Sequence, residues 1–187
     1  KDYTFGKNRK GNVSFMQQHA EKYAFEVIVP EWVPVAPEGA DRVSSTRIRE
    51  VIEAGDVADA KPLLGRYYQI RGTVGTGRNR GGRLLGFPTA NIVLQDELCP
   101  KIGVYAVTVE TEQGNHKGVA NIGYSPTFDD HLFTVEVHLL DYIGDLYGKK
   151  IRVNFISRIR DEKRFSNVDE LSEQIRRDIE AAHRILS

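Results

Sequence analysis

The 187-residue sequence lacks most features that mark secreted, membrane-bound or strongly charged proteins. Cys99 is its single cysteine, which excludes an internal disulfide framework and fits a reducing compartment. No apolar run is as long as a membrane span, and no signal peptide precedes Lys1. The 26 basic and 26 acidic residues balance, so no overall field attracts nucleic acid or an anionic membrane. We therefore expect a cytoplasmic protein with neither a nucleic-acid nor a membrane partner.

The sequence pattern changes near residues 62 to 66. Before this point, helical spacing from Val13 to Lys22, a β-rich run from Phe25 to Val29 and a helix after Ser44 predict a piece of an α/β layer. That piece is too small to be complete. Because the chain starts without Met, we expect upstream sequence to be absent from it. We assign residues 1–62 to an incomplete domain and residues 63–187 to a second domain.

The second domain contains six β-rich segments without intervening helices, at residues 67–76, 89–94, 104–111, 116–122, 133–140 and 150–160. Such a series predicts an antiparallel barrel. A short helix from Asp56 should break at Pro62, before the barrel. A final helix should open at Ser166, with Asp169 completing an approximate capping box, and pack across the barrel as a lid on its core. The predicted fold class is α+β.

The stretch from Gly72 to Leu94 carries six glycines and three arginines between two predicted strands. Glycines let backbone N–H groups turn towards phosphate oxygens, and arginines add charge-assisted donors. The loop is not a Walker A sequence, because no Gly-Lys-Ser/Thr closes it onto a helix and Pro88 favours entry into a strand. A flexible basic hairpin loop is the alternative, and composition alone does not decide between the two.

Thr89 and Asn91 stand two residues apart in the strand that follows this loop. Their side chains therefore leave the same face and can present a hydroxyl and a carboxamide oxygen to one hard cation. A phosphate-binding loop beside such a cation site suggests a site for a nucleoside triphosphate.

The fifth predicted strand, from Phe133 to Asp141, alternates between apolar and polar residues. Glu136 lies on its polar face, and periodicity alone favours a solvent-facing carboxylate. The functional alternative is a general base, which accepts the proton of a substrate hydroxyl. His138 shares this face and is the weaker candidate, because a histidine in a barrel wall usually has a structural role.

Two further segments have unusual chemistry. Ser44, Ser45 and Thr46 precede a helix, where their hydroxyls suit N-caps and the free N–H groups suit an anion. Local sequence favours the capping role. Before the final helix, Phe165 can either sandwich a flat heterocycle together with Phe128 or staple the helix start.

Six motifs occur in one order after residue 63, and together they make this part of the chain resemble the riboflavin kinase domain. They are Gly-Phe-Pro-Thr-Ala-Asn (86–91), Gly-Val-Tyr (103–105), Gly-Val-Ala-Asn-Ile-Gly (118–123), Val-Glu-Val-His-Leu-Leu-Asp (135–141), Leu-Tyr-Gly-Lys (146–149) and Ile-Arg-Asp-Glu-Lys-Arg-Phe (159–165). The resemblance implies a six-stranded barrel of the riboflavin kinase type with a C-terminal helix.

The same resemblance assigns roles to individual residues. It implies that Thr89 and Asn91 are associated with Mg²⁺ and ATP phosphate, and that Glu136 is the base acting on the ribityl hydroxyl of the flavin. Arg160 and Phe165 would contact the flavin. The full predicted ATP-binding set is Gly75, Gly77, Arg83, Gly86, Pro88, Thr89 and Asn91.

Residues 1–62 resemble the back half of the adenylyltransferase domain of bifunctional prokaryotic FAD synthetases, a Rossmann-like nucleotidyltransferase. The matching segments are 2–11 and 44–49, which assign Asp2, Phe5, Gly6, Arg9, Ser44, Ser45, Thr46, Arg47 and Arg49 to a remnant of its site. The early His-x-Gly-His motif of that family does not occur in this sequence. We therefore expect no FAD synthesis by this chain alone, and an open sheet edge that favours self-association.

As a whole, the resemblance implies transfer of the γ-phosphoryl group of ATP to riboflavin, with Mg²⁺ as cofactor, to give FMN. A full-length parent would also adenylylate FMN to FAD. Two alternatives remain open. A non-catalytic flavin or nucleotide carrier would bind FMN but release no ADP. A nucleic-acid-binding barrel would need a one-sided basic face, which the balanced charge disfavours.

Overall fold

The computed structural model describes residues 3–31, 34, 43–75, 86–94, 97–124 and 133–187. The chain divides into two compact parts, Lys1–Val43 and Ser44–Ser187, and each is described by itself. The first helix of the second part therefore groups with the barrel in space. The predicted boundary between residues 62 and 63 separates functional domains and stays a prediction.

The first part contains strands β1 (Thr4–Phe5) and β2 (Gly11–Asn12) and helix α1 (Val13–Ala20). The second part contains α2 (Ser45–Ala54), α3 (Val57–Leu64), β3 (Tyr68–Gly75), β4 (Ala90–Leu94), β5 (Gly103–Thr111), β6 (Gly114–Tyr124), β7 (Phe133–Leu139), β8 (Lys150–Arg160) and α4 (Val168–Ile185). Within the described ranges, no helix has both the length and the apolar character that a bilayer crossing requires.

In the first part, β1 and β2 pair antiparallel and lead into α1. The Oδ1 atom of Asn12 caps this helix by accepting a hydrogen bond from the Phe15 N–H at 2.9 Å. At the other end, Ala24 has a φ of 52°, and Phe25 N–H donates to the Ala20 carbonyl at 3.1 Å. The predicted strand from Phe25 to Val29 was wrong, because Phe25 closes the helix end and residues 25–29 have no regular secondary structure. The Rossmann-like assignment of this part stays a prediction.

Strands β3 to β8 form a closed antiparallel barrel in the order β3-β4-β7-β6-β5-β8. This confirms the predicted barrel, and its strand ends lie within two residues of those predicted. Apolar residues alternate along the strands, so one face of each strand fills the interior. The interior cluster includes Ile70, Val74, Ile92, Tyr105, Val107, Val109, Ala120, Ile122, Val135, Val137, Leu139, Ile151, Val153 and Phe155.

Helix α2 begins after Ser44, whose Oγ accepts a hydrogen bond from the Arg47 N–H at 3.2 Å. This bond is the predicted N-cap. The helix ends at Gly55, which has a φ of 88°. A Cβ atom at Gly55 would lie 2.9 Å from Nε of Arg158, so both the backbone conformation and the close approach require glycine.

Helix α3 continues through Pro62 to Leu64, and the predicted break at this proline was wrong. Pro62 removes one hydrogen bond from the last turn of a two-turn helix, whereas Val57, Ala60 and Leu63 are all buried on one face. Val57 is part of the interior cluster of the barrel. Burial of this face therefore outweighs the lost backbone hydrogen bond.

Helix α4 differs from its prediction in both its start and its position. Asn167 rather than Ser166 is the N-cap, and its Oδ1 accepts from the Glu170 N–H at 2.9 Å. The helix packs on the outer wall of β5, β6 and β8, where Ala182 and Ala106 belong to a small cluster separate from the interior. The predicted lid over the barrel core was therefore wrong. Ala106 faces outward because its neighbour Tyr105 points inward.

Cys99 packs against the interior cluster and is half-buried. Burial, and next the nearby Glu97 carboxylate, raise the pKa of its thiol to about 11. The thiol therefore stays protonated at neutral pH and acts as a small apolar side chain.

We expect Val57→Ala to lower the free energy of unfolding by about 2 to 3 kcal/mol, because it removes two buried methyl groups and leaves a cavity. Val168 is 61% exposed at the start of α4, and Val168→Ala provides a control within about 0.5 kcal/mol of the parent. Urea unfolding measures both. Equal values for the two variants would show that α3 does not stabilise the barrel core.

Candidate functional site

A row of cross-strand neighbours on the outer face of the barrel joins residues that are distant in sequence. Gly75 of β3 pairs with Asn91 of β4, Asn91 pairs with Glu136 of β7, and Glu136 pairs with Asn121 of β6. Directly paired residues share a face, with Cα atoms about 4.5 to 5.5 Å apart. Their neighbours along each strand belong to the interior cluster or pack on it, so these four residues face outward. We call them the outer row.

The outer row places a carboxylate between two carboxamides. The side chains of Asn91, Glu136 and Asn121 are all half-buried, so they are shielded in part from water yet open to a ligand. Carboxamides both donate and accept hydrogen bonds, whereas an ionised carboxylate only accepts them. The arrangement can therefore hold a hydroxyl or a phosphate oxygen beside a proton acceptor.

The turn before β4 brings Thr89 to the outer row. Gly86 has a φ of 79° and starts the turn, and the carbonyl of Pro88 accepts a hydrogen bond from Nδ1 of His138 at 2.8 Å. Thr89 directly precedes β4 and lies two residues before Asn91, so alternation puts the two side chains on one face. The structure thus brings together Thr89, Asn91 and Glu136, as the sequence predicts.

Arg160 lies further along the same register. Asn121 pairs with Val104 of β5, and Val104 pairs with Arg160 at the end of β8. The guanidinium of Arg160 donates from Nε and Nη2 to both carboxylate oxygens of Asp178 on α4, at 2.8 to 3.0 Å. This fork is a nearly buried ion pair that fastens the barrel end to the final helix, since the exposed fractions are 21% and 5%.

The aromatic residue predicted to contact flavin is next to Arg160. The centre of the Phe165 ring lies 5.9 Å from Cζ of Arg160 and 5.8 Å from Nζ of Lys163. Both distances allow cation–π attraction. Arg160 and Phe165 therefore form one unit at the root of the loop between β8 and α4.

A second carboxylate approaches the outer row from this loop. A Cβ atom at Gly123 would lie 2.8 Å from Oε1 of Glu162 and 4.0 Å from Nδ2 of Asn121. Gly123 is buried and two residues beyond Asn121 on β6, so its missing side chain leaves the space that Glu162 occupies. The loop between β8 and α4 therefore reaches across β5 to the Asn121 end of the outer row.

Arg158 holds the start of this loop. Its Nη2 donates to the Ile102 carbonyl at 2.6 Å and to Oδ1 of Asp161 at 2.8 Å. The hydrogen bond and charge of Arg158 hold the pKa of the Asp161 carboxyl below its usual value. Its Nε donates to the Tyr105 hydroxyl at 3.3 Å, and burial raises the pKa of that hydroxyl. The ion pair between Arg158 and Asp161 therefore joins the residues before and after Arg160 and fixes the start of the loop.

Of the remaining predicted residues, Gly75 lies in the outer row, and the others lie in other elements or outside the described part. A Cβ atom at Gly75 would lie 2.7 Å from Cγ2 of Val93, so a larger residue there would require the Val93 side chain to move. Asp2, Gly77, Arg83 and Phe128 fall outside the described residues. In the first compact part, Phe5 is in β1, and Gly6 and Arg9 have positive φ angles of 75° and 53°. In the second part, Ser44 caps α2 and Ser45, Thr46, Arg47 and Arg49 lie in its first turns.

The outer row also has the donor set of a hard cation. In the described ranges, no group of three or more His, Cys, Asp or Glu side chains converges in the manner of a protein-only metal site. Mg²⁺ does not need such a cage, because it is commonly held by one or two carboxylates together with substrate phosphates and water. The hydroxyl of Thr89 and the carboxamide oxygen of Asn91 are oxygen donors that fit an ion whose other ligands are phosphates and water.

Sequence reasoning did not single out Asn121 and Glu162, which the structure places next to predicted site residues or their strand neighbours. Asn121 belongs to a motif that marks the family resemblance. It lies 15 residues before Glu136 in sequence, and only the pairing of β6 with β7 brings the two together. Its polar side chain between the apolar residues Ala120 and Ile122 was the available signal. Glu162 carried no such signal, because a charged residue in a loop is ordinary.

We expect Asp178→Ala to lower the free energy of unfolding by about 3 kcal/mol, because it leaves the guanidinium of Arg160 without its carboxylate in a mostly buried setting. Glu173 pairs with Arg177 on the exposed side of the same helix, with exposed fractions of 61% and 63%. Glu173→Ala should therefore change stability by less than about 1 kcal/mol. Chemical unfolding measures the stability of both variants. An equally small loss of stability in each would contradict a stabilising role for the Arg160–Asp178 ion pair.

Comparison with known proteins gives a match to one family over most of the chain. The family model described as riboflavin kinase matches residues 64–186, which include the barrel and α4. A bifunctional riboflavin kinase/FMN adenylyltransferase of Haemophilus influenzae is 41% identical over 97% of this chain and 58% of its own length. The protein of the same description from Bacillus subtilis is 38% identical over 100% of this chain and 58% of its own length.

A solved structure shares the fold. The crystal structure titled as a macrolide-efflux protein from Streptococcus pneumoniae superposes with a TM-score of 0.79 at 38% sequence identity. It covers 97% of this chain and 58% of that one. The chain therefore spans a little more than half the length of these relatives.

Proposed function

Because the chain belongs to the riboflavin kinase family, we propose that it transfers the γ-phosphoryl group of ATP to the 5′-hydroxyl of riboflavin, giving FMN and ADP. The observation that supports this most directly is the outer row, in which Glu136 lies between Asn91 and Asn121. A carboxylate flanked by two hydrogen-bonding amides can accept the proton of a hydroxyl and hold the oxygen in line for phosphoryl transfer.

In this proposal Glu136 is the general base. It accepts the proton of the riboflavin 5′-hydroxyl as that oxygen attacks the γ-phosphorus and ADP leaves. Asn121 hydrogen-bonds the hydroxyl or Glu136 itself and keeps the two oriented. Because β6 and β7 belong to a closed barrel, this orientation is set before substrate binds.

Thr89 and Asn91 form the phosphate side of the proposed site, with Gly75, Gly86 and Pro88 shaping the chain around it. They would hold Mg²⁺ together with the ATP phosphates, and the ion would supply charge neutralisation on the transferring group. Gly77 and Arg83 remain proposed ATP contacts on sequence grounds.

Arg160 and Phe165 form the proposed flavin side. Phe165 offers an aromatic face, and Arg160 is already oriented by Asp178, so little side-chain freedom would be lost on binding. The reach of Glu162 towards Asn121 supports a closed arrangement in which the flavin hydroxyl and the γ-phosphate meet at Glu136.

Several wider assignments are proposals as well. The single cysteine and the balanced charge support a cytoplasmic location. A protein that joined this chain to the remaining length of its curated relatives would also adenylylate FMN to FAD. Self-association through residues 1–62 stays a prediction. The assay below distinguishes a kinase from the alternative, a non-catalytic flavin carrier.

Incubation with riboflavin, ATP and Mg²⁺, followed by chromatography of the flavins, should give FMN with no FAD.

We expect Glu136→Gln to reduce turnover by about 10²- to 10⁴-fold, because the amide cannot accept the proton. Glu112 is 75% exposed in the turn between β5 and β6, and Glu112→Gln is the matched control with unchanged turnover.

Binding of FMN without release of ADP by the parent chain would favour the carrier instead. Near wild-type turnover in a folded Glu136→Gln variant would remove Glu136 from the role of base. FAD in the product mixture would refute the expectation that the adenylyltransferase site is incomplete in this chain.

Asn91→Ala should raise the Mg²⁺ concentration needed for half-maximal turnover by about 10-fold or more, because it removes one oxygen donor from the phosphate side. Asn115 is exposed on β6 away from the outer row, so Asn115→Ala is the control. A titration of activity with Mg²⁺ at saturating ATP gives the readout. An unchanged titration curve for Asn91→Ala would count against its assignment as a ligand.

A further inference from the structure

We propose that His138 is a positioning residue for the phosphate side of the site, because it fixes the turn at residues 86–88 and thereby sets the place of Thr89. The inference rests on the proposed function, since it assigns His138 to the same outer-row site. It gives the histidine a role distinct from that of a base and distinct from general support of the barrel.

The main observation behind this proposal is a single long-range hydrogen bond. Nδ1 of His138 lies 2.8 Å from the carbonyl oxygen of Pro88, which is 50 residues away in sequence. A carbonyl oxygen only accepts, so Nδ1 carries the hydrogen and donates it. The bond therefore fixes the tautomer of a neutral His138, and it also persists when the ring is protonated.

The location of this bond explains its effect on Thr89. The cross-strand pairs of β4 with β7 extend from Ile92 to Ala90, where Ala90 pairs with Val137. His138 follows Val137, and the Pro88 carbonyl belongs to the peptide bond that enters Thr89. The side chain of His138 thus continues the attachment of β4 to β7 for one step beyond the backbone ladder. The bond therefore holds Thr89 to β7 from its N-terminal side.

A second contact strengthens the hold on the turn. The ring of Phe87 packs edge-on against the imidazole, with centroids 5.9 Å apart and an interplanar angle of 89°. This geometry is favourable for aromatic pairs. The hydrogen bond fixes the Pro88 carbonyl and the ring contact fixes Phe87, so two successive residues of the turn are held by one side chain.

The proposed role of His138 is orientation, because Glu136 is the proposed base. The two residues are two apart on β7, so both side chains lie on the outer face. Nδ1 of His138 donates to the Pro88 carbonyl, which leaves the lone pair of the neutral ring on Nε2. If His138 only orients the turn, loss of the imidazole weakens the phosphate side and leaves the pH dependence of turnover unchanged. If Nε2 accepts a proton in the reaction, the pH dependence changes as well.

Two substitutions separate the hydrogen bond from the ring contact. His138→Phe keeps an aromatic ring for Phe87 and removes the donor, whereas His138→Asn keeps a donor close to the position of Nδ1 and removes the ring. His116→Phe is the matched control, since His116 lies on β6 with its ring against Tyr142, away from the outer row. Each variant is assayed for KM for ATP, KM for riboflavin, kcat across pH, and the Kd of MgADP by calorimetry.

We expect His138→Phe to raise KM for ATP and the Kd of MgADP by about 3- to 10-fold, the range for one lost neutral hydrogen bond. KM for riboflavin should stay within about twofold, and the shape of the pH profile should not change. His138→Asn should recover most of the loss. Should His138→Phe fail to fold, His138→Leu removes the same donor and repeats the comparison.

Three outcomes would overturn the inference: unchanged MgADP binding in a folded donor-less variant, equal changes in both KM values, or no recovery in His138→Asn. If His138→Phe abolished either the acidic or the basic fall in the pH profile of turnover, His138 would be an acid or a base and not a positioning residue.

Failure of the parent chain to produce FMN would contradict the proposed function and not, by itself, the role of His138. The calorimetric comparison would still test His138, and a parent chain that binds no MgADP would overturn the inference as well.

Discussion

Closure of the backbone ladder around six strands is the constraint on which the other features depend. In a closed barrel every strand is paired on both sides, so none can shift by one residue without turning its apolar face outward. The interior cluster fixes the register of each strand in this way. The same register applies to the outer face of each strand. Asn91, Glu136 and Asn121 therefore lie side by side, although their side chains take no part in the packing of the interior.

The outer wall has its own stabilising interactions, and they divide the barrel into two sides. Helix α4 covers the wall formed by β5, β6 and β8, and its carboxylate at Asp178 fixes Arg160 at the end of β8. The wall formed by β3, β4 and β7 carries Gly75, Asn91 and Glu136 of the outer row, and the row ends at Asn121 on β6. Helix α4 therefore covers one side of the barrel, and the other side can bind a ligand. The loop from β8 to α4 connects the two sides, because its Glu162 lies next to Gly123 on β6.

Side chains from the rigid strands also order the less regular segments next to the site. His138 holds the turn before β4, and Arg158 holds the segment that enters β5. In both cases a strand residue donates to a backbone carbonyl, so the segment is fixed without a regular ladder of its own.

By itself the sequence determined the six strands, the final helix and the residue types of the site, because alternation and motif spacing are local properties of the chain. It did not determine that Phe25 closes a helix, that α3 continues through Pro62, or that α4 lies outside the barrel. Those outcomes depend on which apolar surfaces meet. Only the tertiary structure decided that Asn121 lies beside Glu136, that Glu162 lies next to Gly123 and that Arg160 pairs with Asp178. Pairing across strands and helices links residues whose separation in sequence carries no signal.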